Sequence, residues 1–316
     1  MESSRFISPL QPECPLNLIE AARKFAKKPK IAIVKADHKL PMIAAKAAVS
    51  ENIMVPIFIG REDIIKSIAK NLNWDISDFE IINKSTEDES AQTGANLCGL
   101  GLADILMKGD IHTDIFMKSI LSDSSGLKIN QRLIHLFYIS HPKGGKPLVI
   151  SDAAVNVAPD VDTRKDAAQK IVNLLQSLGT KKPKIAFLSA TESVIKSVPS
   201  SVDAKNLSKW CTNNIPDAIF SGPLALDTIL SFEAAKTKNL QENPVVGDVD
   251  AIIVPDIVSG NVLFKALVYL SGGCAAGLVL GAKVPLLLTS RADPPAARLA
   301  SIALAAKVSN ERIILS

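Results

Sequence analysis

The chain has 316 residues, 47% of them hydrophobic, and its 36 Lys and Arg against 32 Asp and Glu leave a net charge of +4. That length and apolar content assure a substantial core and exclude a disordered chain. The interspersed charges include no basic run with interleaved aromatics, which excludes a nucleic-acid surface and points to a small anionic ligand. Cys14, Cys98, Cys211 and Cys274 lie far apart and fit neither a metal spacing nor a disulfide framework, so they read as reduced thiols. The first thirty residues hold no uninterrupted apolar run. The longest apolar stretch, around Cys274 to Leu288, is broken by Gly277, Gly281, Lys283 and Pro285, so a cytoplasmic chain without a membrane anchor is expected.

From Lys30 onward, short runs of Val, Ile and Leu alternate with longer amphipathic segments, the pattern of an α/β fold with a mostly parallel sheet. Strands are predicted at Lys30–Val34, Met54–Ile59, Phe79–Ile82, Asp104–Met107, His135–Ile139 and Leu148–Ser151. They continue at Lys184–Ser189, Ala218–Phe220, Ala251–Pro255, Gly277–Leu280 and Pro285–Thr289. Among the helices between them are Leu40–Ser50, Ile64–Asn71, Ala91–Leu102, Arg164–Leu178, Leu224–Ala235, Val262–Leu270 and Pro294–Ala306. So many strands exceed what one compact sheet of this chain usually holds, and Ser140-His141-Pro142-Lys143-Gly144-Gly145 reads as a connection between two halves.

Four strand-to-helix junctions carry polar groups where open α/β sheets bind ligands. The first is Ser290-Arg291-Ala292-Asp293: the guanidinium suits a phosphate, the hydroxyl a developing oxyanion, and the helix start adds partial positive charge. An ordinary helix start with Asp293 before two prolines is the structural alternative. At Ser259-Gly260-Asn261, glycine permits close approach to an anion and its neighbours supply donors, or the same residues simply cap a turn. Lys108-Gly109 ends a strand, Thr113 opens the next helix and Lys118 follows, so two ammonium groups are candidates to face a phosphate. Ser221-Gly222-Pro223 is read as a helix-entry turn. Gly272-Gly273-Cys274-Ala275-Ala276-Gly277 precedes a strand instead of following one, which makes it a tight connection and not a nucleotide-binding loop. His38, His112, His135 and His141 lack zinc spacing, and no Ser or Cys occupies a nucleophile elbow.

In order along the chain, six segments resemble the phosphate acetyltransferase and phosphate butyryltransferase family. They are Asp104-Ile105-Leu106-Met107-Lys108-Gly109, Ser151-Asp152-Ala153-Ala154-Val155-Asn156, Leu188-Ser189-Ala190-Thr191-Glu192, Gly222-Pro223-Leu224-Ala225-Leu226-Asp227, Pro255-Asp256 with Ser259-Gly260-Asn261, and Leu288-Thr289-Ser290-Arg291-Ala292-Asp293. The likeness reads as closer to the butyryl branch. It implies a fold similar to the isocitrate and isopropylmalate dehydrogenases, with two α/β domains, an interdomain cleft and usually a homodimer. The first domain is then expected at residues 1–145 and 274–316, and the second at 146–273.

The implied reaction is direct attack of the coenzyme A thiol on an acyl phosphate, with coenzyme A as substrate and no bound cofactor or metal. In it Arg291 holds a phosphoryl or carbonyl oxygen, Ser290 stabilises the intermediate, and Asp293 is the nearest carboxylate for the base. Two departures from the acetyl branch stand out: Ala297 falls where that branch has its proposed base, and Lys118 where it has an arginine. They leave open a second reading, a coenzyme A- or anion-binding paralogue without turnover. A metal- and nicotinamide-dependent dehydrogenase ranks last, because Val262 to Leu270 contains no aspartate.

Overall fold

The computed structural model describes residues 5–290 and 292–311. The chain divides into two compact units, a first comprising residues 12–133 and those from 274 onward, and a second comprising residues 134–273 with the N-terminal segment up to Gln11. In chain order the first unit supplies α1 (Leu16–Arg23), β1 (Lys30–Val34), α2 (Lys39–Ser50), β2 (Val55–Gly60), α3 (Glu62–Asn71), β3 (Glu80–Asn83), α4 (Glu87–Gly99), β4 (Ile105–Lys108) and α5 (Thr113–Leu121). The second unit follows with β5 (Ile134–Ser140), β6 (Leu148–Ser151), α6 (Val161–Ser177), β7 (Lys184–Leu188), α7 (Pro199–Asn214), β8 (Ile219–Leu224), α8 (Leu226–Leu230), α9 (Phe232–Thr237), β9 (Ala251–Ile253) and α10 (Ile257–Tyr269). The chain then returns to the first unit for β10 (Cys274–Leu280), β11 (Leu286–Leu287) and α11 (Pro295–Asn310).

In the first unit the strand order is β3-β2-β1-β4-β11-β10, parallel throughout except for the antiparallel β11/β10 pair. Ile31 to Val34, Leu106 and Met107 are fully buried, as expected where helices cover both faces of a parallel sheet. Local chemistry starts the helices. Thr86 and Glu89 form a reciprocal capping box at α4, and the His38 side chain accepts from Leu40 N at α2. Alanine-rich α11 is apolar nearly all round and packs on β10, α1 and α2, so it behaves as an interior helix.

In the second unit the order is β5-β6-β9-β7-β8, again parallel apart from β5/β6. That antiparallel pair, in register through Phe137↔Ile150, makes the stretch from His141 to Gly145 part of a hairpin loop. The chain therefore crosses between the units at Leu133 and Ile134, ahead of the connection read from Pro142 and the glycines, and β5 belongs to the second unit.

Three local expectations are corrected. Gly222 and Pro223 lie inside β8, at the sheet edge, where a residue without an N–H is tolerated. The helix expected at Leu224–Ala235 is two short helices, because Ser231 turns extended and its hydroxyl caps the second by accepting from Ala234 N. Cys274, Ala275 and Ala276 belong to β10, which leaves Gly272 and Gly273 as the connection.

Enlarging Ala303, fully buried in α11, leaves no room for the added atoms. Ala303→Leu is expected to destabilise the chain by about 1–3 kcal/mol, read as a lowered midpoint in thermal denaturation followed by circular dichroism.

Candidate active site

Because β1, β4 and β11 are adjacent and parallel, their carboxyl ends gather at one edge of the first unit. The strands are stitched together there. Thr289 Oγ1 donates to the Lys108 carbonyl at 2.8 Å, Gly109 N to Val34 O at 2.8 Å, and Asp110 N to Lys35 O at 3.1 Å. A side chain at Gly109 would put its Cβ 2.3 Å from Val34 O, so only glycine lets the backbones approach this closely. A shallow pocket opens at this edge, lined by His38, Gly109, Asp110, Thr289, Ser290 and Arg298.

Ser290 is exposed three residues past the end of β11, and Asp293 is half-buried three residues further on. Ser290 N donates to Asp293 Oδ2 at 2.6 Å and Ala292 N to Ser290 Oγ at 3.2 Å, so a tight turn presents both side chains. Arg291 lies outside the described residues. The turn is gripped by Arg298, a buried residue of α11, which donates through Nη2 to Ser290 O at 2.7 Å and through Nε to Asp293 O at 3.1 Å. Sequence reasoning missed this arginine. Its signal was a cation in the first turn of an otherwise alanine-rich helix, where the helix dipole disfavours positive charge.

Burial raises the Asp293 carboxyl above the ordinary aspartate range, outweighing the Ser290 N–H and the Arg298 and Lys108 charges, all of which pull it down. Asp37, after β1, behaves oppositely. Burial also acts to raise it, but hydrogen bonds from Arg61 at 2.7 Å and Lys35 at 2.9 Å prevail and hold it below its ordinary value. Of the two, Asp293 holds its proton to the higher pH.

The helix start contributes less than its position promises. Pro294 and Pro295 have no N–H, and the Ala297 and Arg298 N–H groups already donate to Pro294 O. Side chains are therefore the main further source of donors for an anion. Lys108 is buried at the end of β4, close enough for its charge to act on Asp293. Thr113 and Lys118 are both exposed on α5, but five residues on a helix turn through about 140°, so the two do not share a face.

Ser259, Gly260 and Asn261 belong to the second unit, in the first turns of α10, and their groups are used internally. Ser259 donates through N and Oγ to the Asp256 carboxylate, and Asn261 Nδ2 donates to Ala153 O at 3.3 Å. A Cβ at Gly260 would lie 2.6 Å from Asp152 O, so this glycine seats α10 against the loop after β6. Buried Asp152 organises that loop, accepting from the backbone N–H groups of His135, Ala154 and Val155 and from Asn156 Nδ2.

Residues 88–306 match the family model described as "Phosphate acetyl/butaryl transferase". The chain belongs to this family. It is 37% identical over 283 residues to the phosphate acetyltransferase of Rickettsia felis, covering 89% of this chain and 81% of that one. It is 34% identical over 284 residues to the phosphate butyryltransferase of Clostridium acetobutylicum, covering 90% and 94%. Its fold matches the crystal structure of a branched-chain phosphotransacylase from Enterococcus faecalis with a TM-score of 0.78 at 32% identity, over 89% of this chain and 98% of that one. The acetyl- and butyryl-named relatives differ by only a few percent in identity, so the leaning toward the butyryl branch is withdrawn to membership of the family as a whole. Among the described residues no helix is long and apolar enough to cross a membrane.

The raised Asp293 has a consequence for stability. Burying its charged form opposes folding once the pH exceeds the unfolded value of about 3.9. The stability that its protonated form supplies is complete below that value and is lost as pH rises through the folded pKa. Asp293→Asn keeps an acceptor for Ser290 N and removes the charge. It is expected to match or exceed the parent melting temperature at neutral pH and to lose any such advantage near pH 3. A clear drop at neutral pH would instead make the charge a stabilising one.

Proposed function

We propose that the chain transfers a short acyl group reversibly between coenzyme A and inorganic phosphate. The observation that carries this is the Ser290–Asp293 turn at the strand ends of the first unit, with a half-buried carboxylate of raised pKa beside Lys108 and Arg298. Family membership supports the same reaction.

A coenzyme A thiol is mostly protonated at neutral pH, with a pKa near that of cysteine, about 8.5. Asp293 takes that proton, and the thiolate attacks the acyl carbonyl to form the new C–S bond. Ser290 donates to the oxyanion that develops. The C–O bond to phosphate then breaks, and Lys108 and, by resemblance, Arg291 hold the departing phosphate as the proton returns to it. Arg298 touches no reacting atom in this scheme. It positions the turn and keeps the Asp293 pKa from rising further. Thr113, Lys118, Ser259, Gly260 and Asn261 keep their place in the proposal only as candidates from the resemblance. The dehydrogenase-like two-domain fold and the homodimer are likewise part of this reading, as is coenzyme A as a substrate in place of a bound cofactor.

With coenzyme A and acetyl, propionyl or butyryl phosphate, the purified chain is expected to consume free thiol. Asp293→Asn is expected to reduce kcat/KM by about 10²–10⁴ and Ser290→Ala by about 10²–10³. Absence of turnover with every short acyl phosphate tried would falsify the reading. If coenzyme A still bound, the paralogue without turnover, which Ala297 and Lys118 suggest, would take its place.

A pH profile tests Arg298 separately. Its charge lowers the Asp293 pKa, and the base works deprotonated, so Arg298→Gln is expected to move the acid limb of kcat/KM to higher pH. Arg298→Lys, which keeps the charge, is expected to move it less. Identical limbs in all three proteins would remove Arg298 from this role.

A further inference from the structure

The winding of the first unit's sheet reverses between β1 and β4: β1 leads to β2 and β3 on one side, and β4 returns on the other. Open α/β sheets receive ligands at such a reversal. On the β1 side stands a group of charges that the acyl-transfer scheme does not use: Lys35, Asp37 and Arg61, followed by the pair of Glu87 and His112.

β1 ends in an uncommon turn. Lys35, the residue after the strand, has a φ of 53°, in the left-handed region that glycine and asparagine enter far more readily than lysine. A residue keeps such a conformation only where its surroundings over-determine it. Here the surroundings are ionic. Asp37 Oδ2 accepts from Lys35 Nζ at 2.9 Å and from Arg61 Nε at 2.7 Å, and both the lysine and the aspartate are buried. Asp37 Oδ1 lies against Gly60, where a Cβ would come within 2.9 Å of it, and Ala36 N donates to Ile59 O at 2.9 Å, so β2 holds the same turn.

The turn passes this order on through its carbonyls. Val34 O accepts from Gly109 N at 2.8 Å and Lys35 O from Asp110 N at 3.1 Å, so the two residues that follow Lys108 take their position from the end of β1. A return of Lys35 to negative φ would rotate its carbonyl and release Asp110 N. Two residues further on the segment is pinned again: Glu87 of α4 accepts from His112 N at 3.1 Å and pairs with His112 Nδ1 at 2.9 Å.

We propose that Lys35, Asp37 and Arg61 are positioning residues for the phosphate end of the reaction: they hold the turn after β1 so that Lys108 is presented to the departing phosphate. This rests on the acyl-transfer reading above, which gives Lys108 that role. None of the three touches a reacting atom in that scheme; they act through Val34 O and Lys35 O on the backbone that follows Lys108.

The test uses two variants of the full chain. Asp37→Asn keeps the shape and removes the charge, and Lys35→Gly adopts the left-handed conformation without strain but lacks the ammonium. Each is expected to raise the KM for acyl phosphate by about tenfold and to change that for coenzyme A by less than about twofold. Arg61→Lys, which keeps a charge but not the planar fork, is expected to fall between the parent and Asp37→Asn. Ala303→Leu serves as the destabilised control, with a lowered thermal midpoint and no split between the two constants. Amide hydrogen exchange followed by NMR is expected to quicken at Gly109 and Asp110 in Asp37→Asn and to stay unchanged at Leu106, whose N–H donates to Pro285 O. Unchanged constants in both variants, or an equal rise for both substrates, overturn the proposal while leaving acyl transfer intact. Unaltered exchange at Gly109 and Asp110 overturns it as well. If the parent turns over no acyl phosphate, the functional reading fails first, and the exchange rates still decide whether this group holds the segment after Lys108.

Discussion

The candidate site depends on one long-range pairing, that of β11 with β4. Thr289 and Lys108 are 181 residues apart in sequence, yet the threonine hydroxyl donates to the lysine carbonyl. A parallel strand pair brings carboxyl ends together, so this register puts Ser290 and Asp293 beside Lys108 and Gly109. The approach is close enough that only glycine fits at position 109. Interior helix α11 then supports the turn from below, because Arg298 reaches back from its first turn to two carbonyls of the 290–293 segment. Moving β11 would separate the hydroxyl, the carboxylate and the cations together.

Three aspartates show how environment assigns different work to one side chain. Asp37 is burdened by burial but answered by two cations, and it stays ionised as a structural anchor between Lys35 and Arg61. Asp152 is buried and spends its carboxylate on backbone N–H groups and Asn156, which shapes the loop after β6. Asp293 is desolvated, with too little compensation to cancel the cost, and so retains affinity for a proton. In the proposed reaction that imbalance suits it to accept a thiol proton, and a tighter ion pair would work against it.

The two units use similar strand-end chemistry for different ends. In the first, Ser290 stands exposed and Asp293 half-buried at the edge of β1, β4 and β11. In the second, Ser259, Gly260 and Asn261 are absorbed by a helix cap, a close backbone contact and a hydrogen bond to Ala153, while Ser189, Ser200 and Arg164 face a pocket. From spacing alone a cap and an anion site look the same, since both place small polar residues at a helix start.

The sequence by itself determined the α/β class and the position of every strand to within a few residues, because buried parallel strands are runs of Val, Ile and Leu between amphipathic segments. It also determined the family, through short polar motifs whose order along the chain is specific, and the Ser290–Asp293 turn, through its place between a strand and a double proline. Helix α7 was less legible, since its buried face rests on little more than Ala204, Leu207 and Cys211 among polar neighbours. Only the tertiary structure decided that β5 belongs to the second unit, because a glycine-rich hairpin loop and a domain linker have the same composition. Only it brought Arg298 to the turn, and only it set the proton affinities of Asp37 and Asp293 apart. Burial and the distance to a cation set those, and neither is a property of the chain until distant strands have paired.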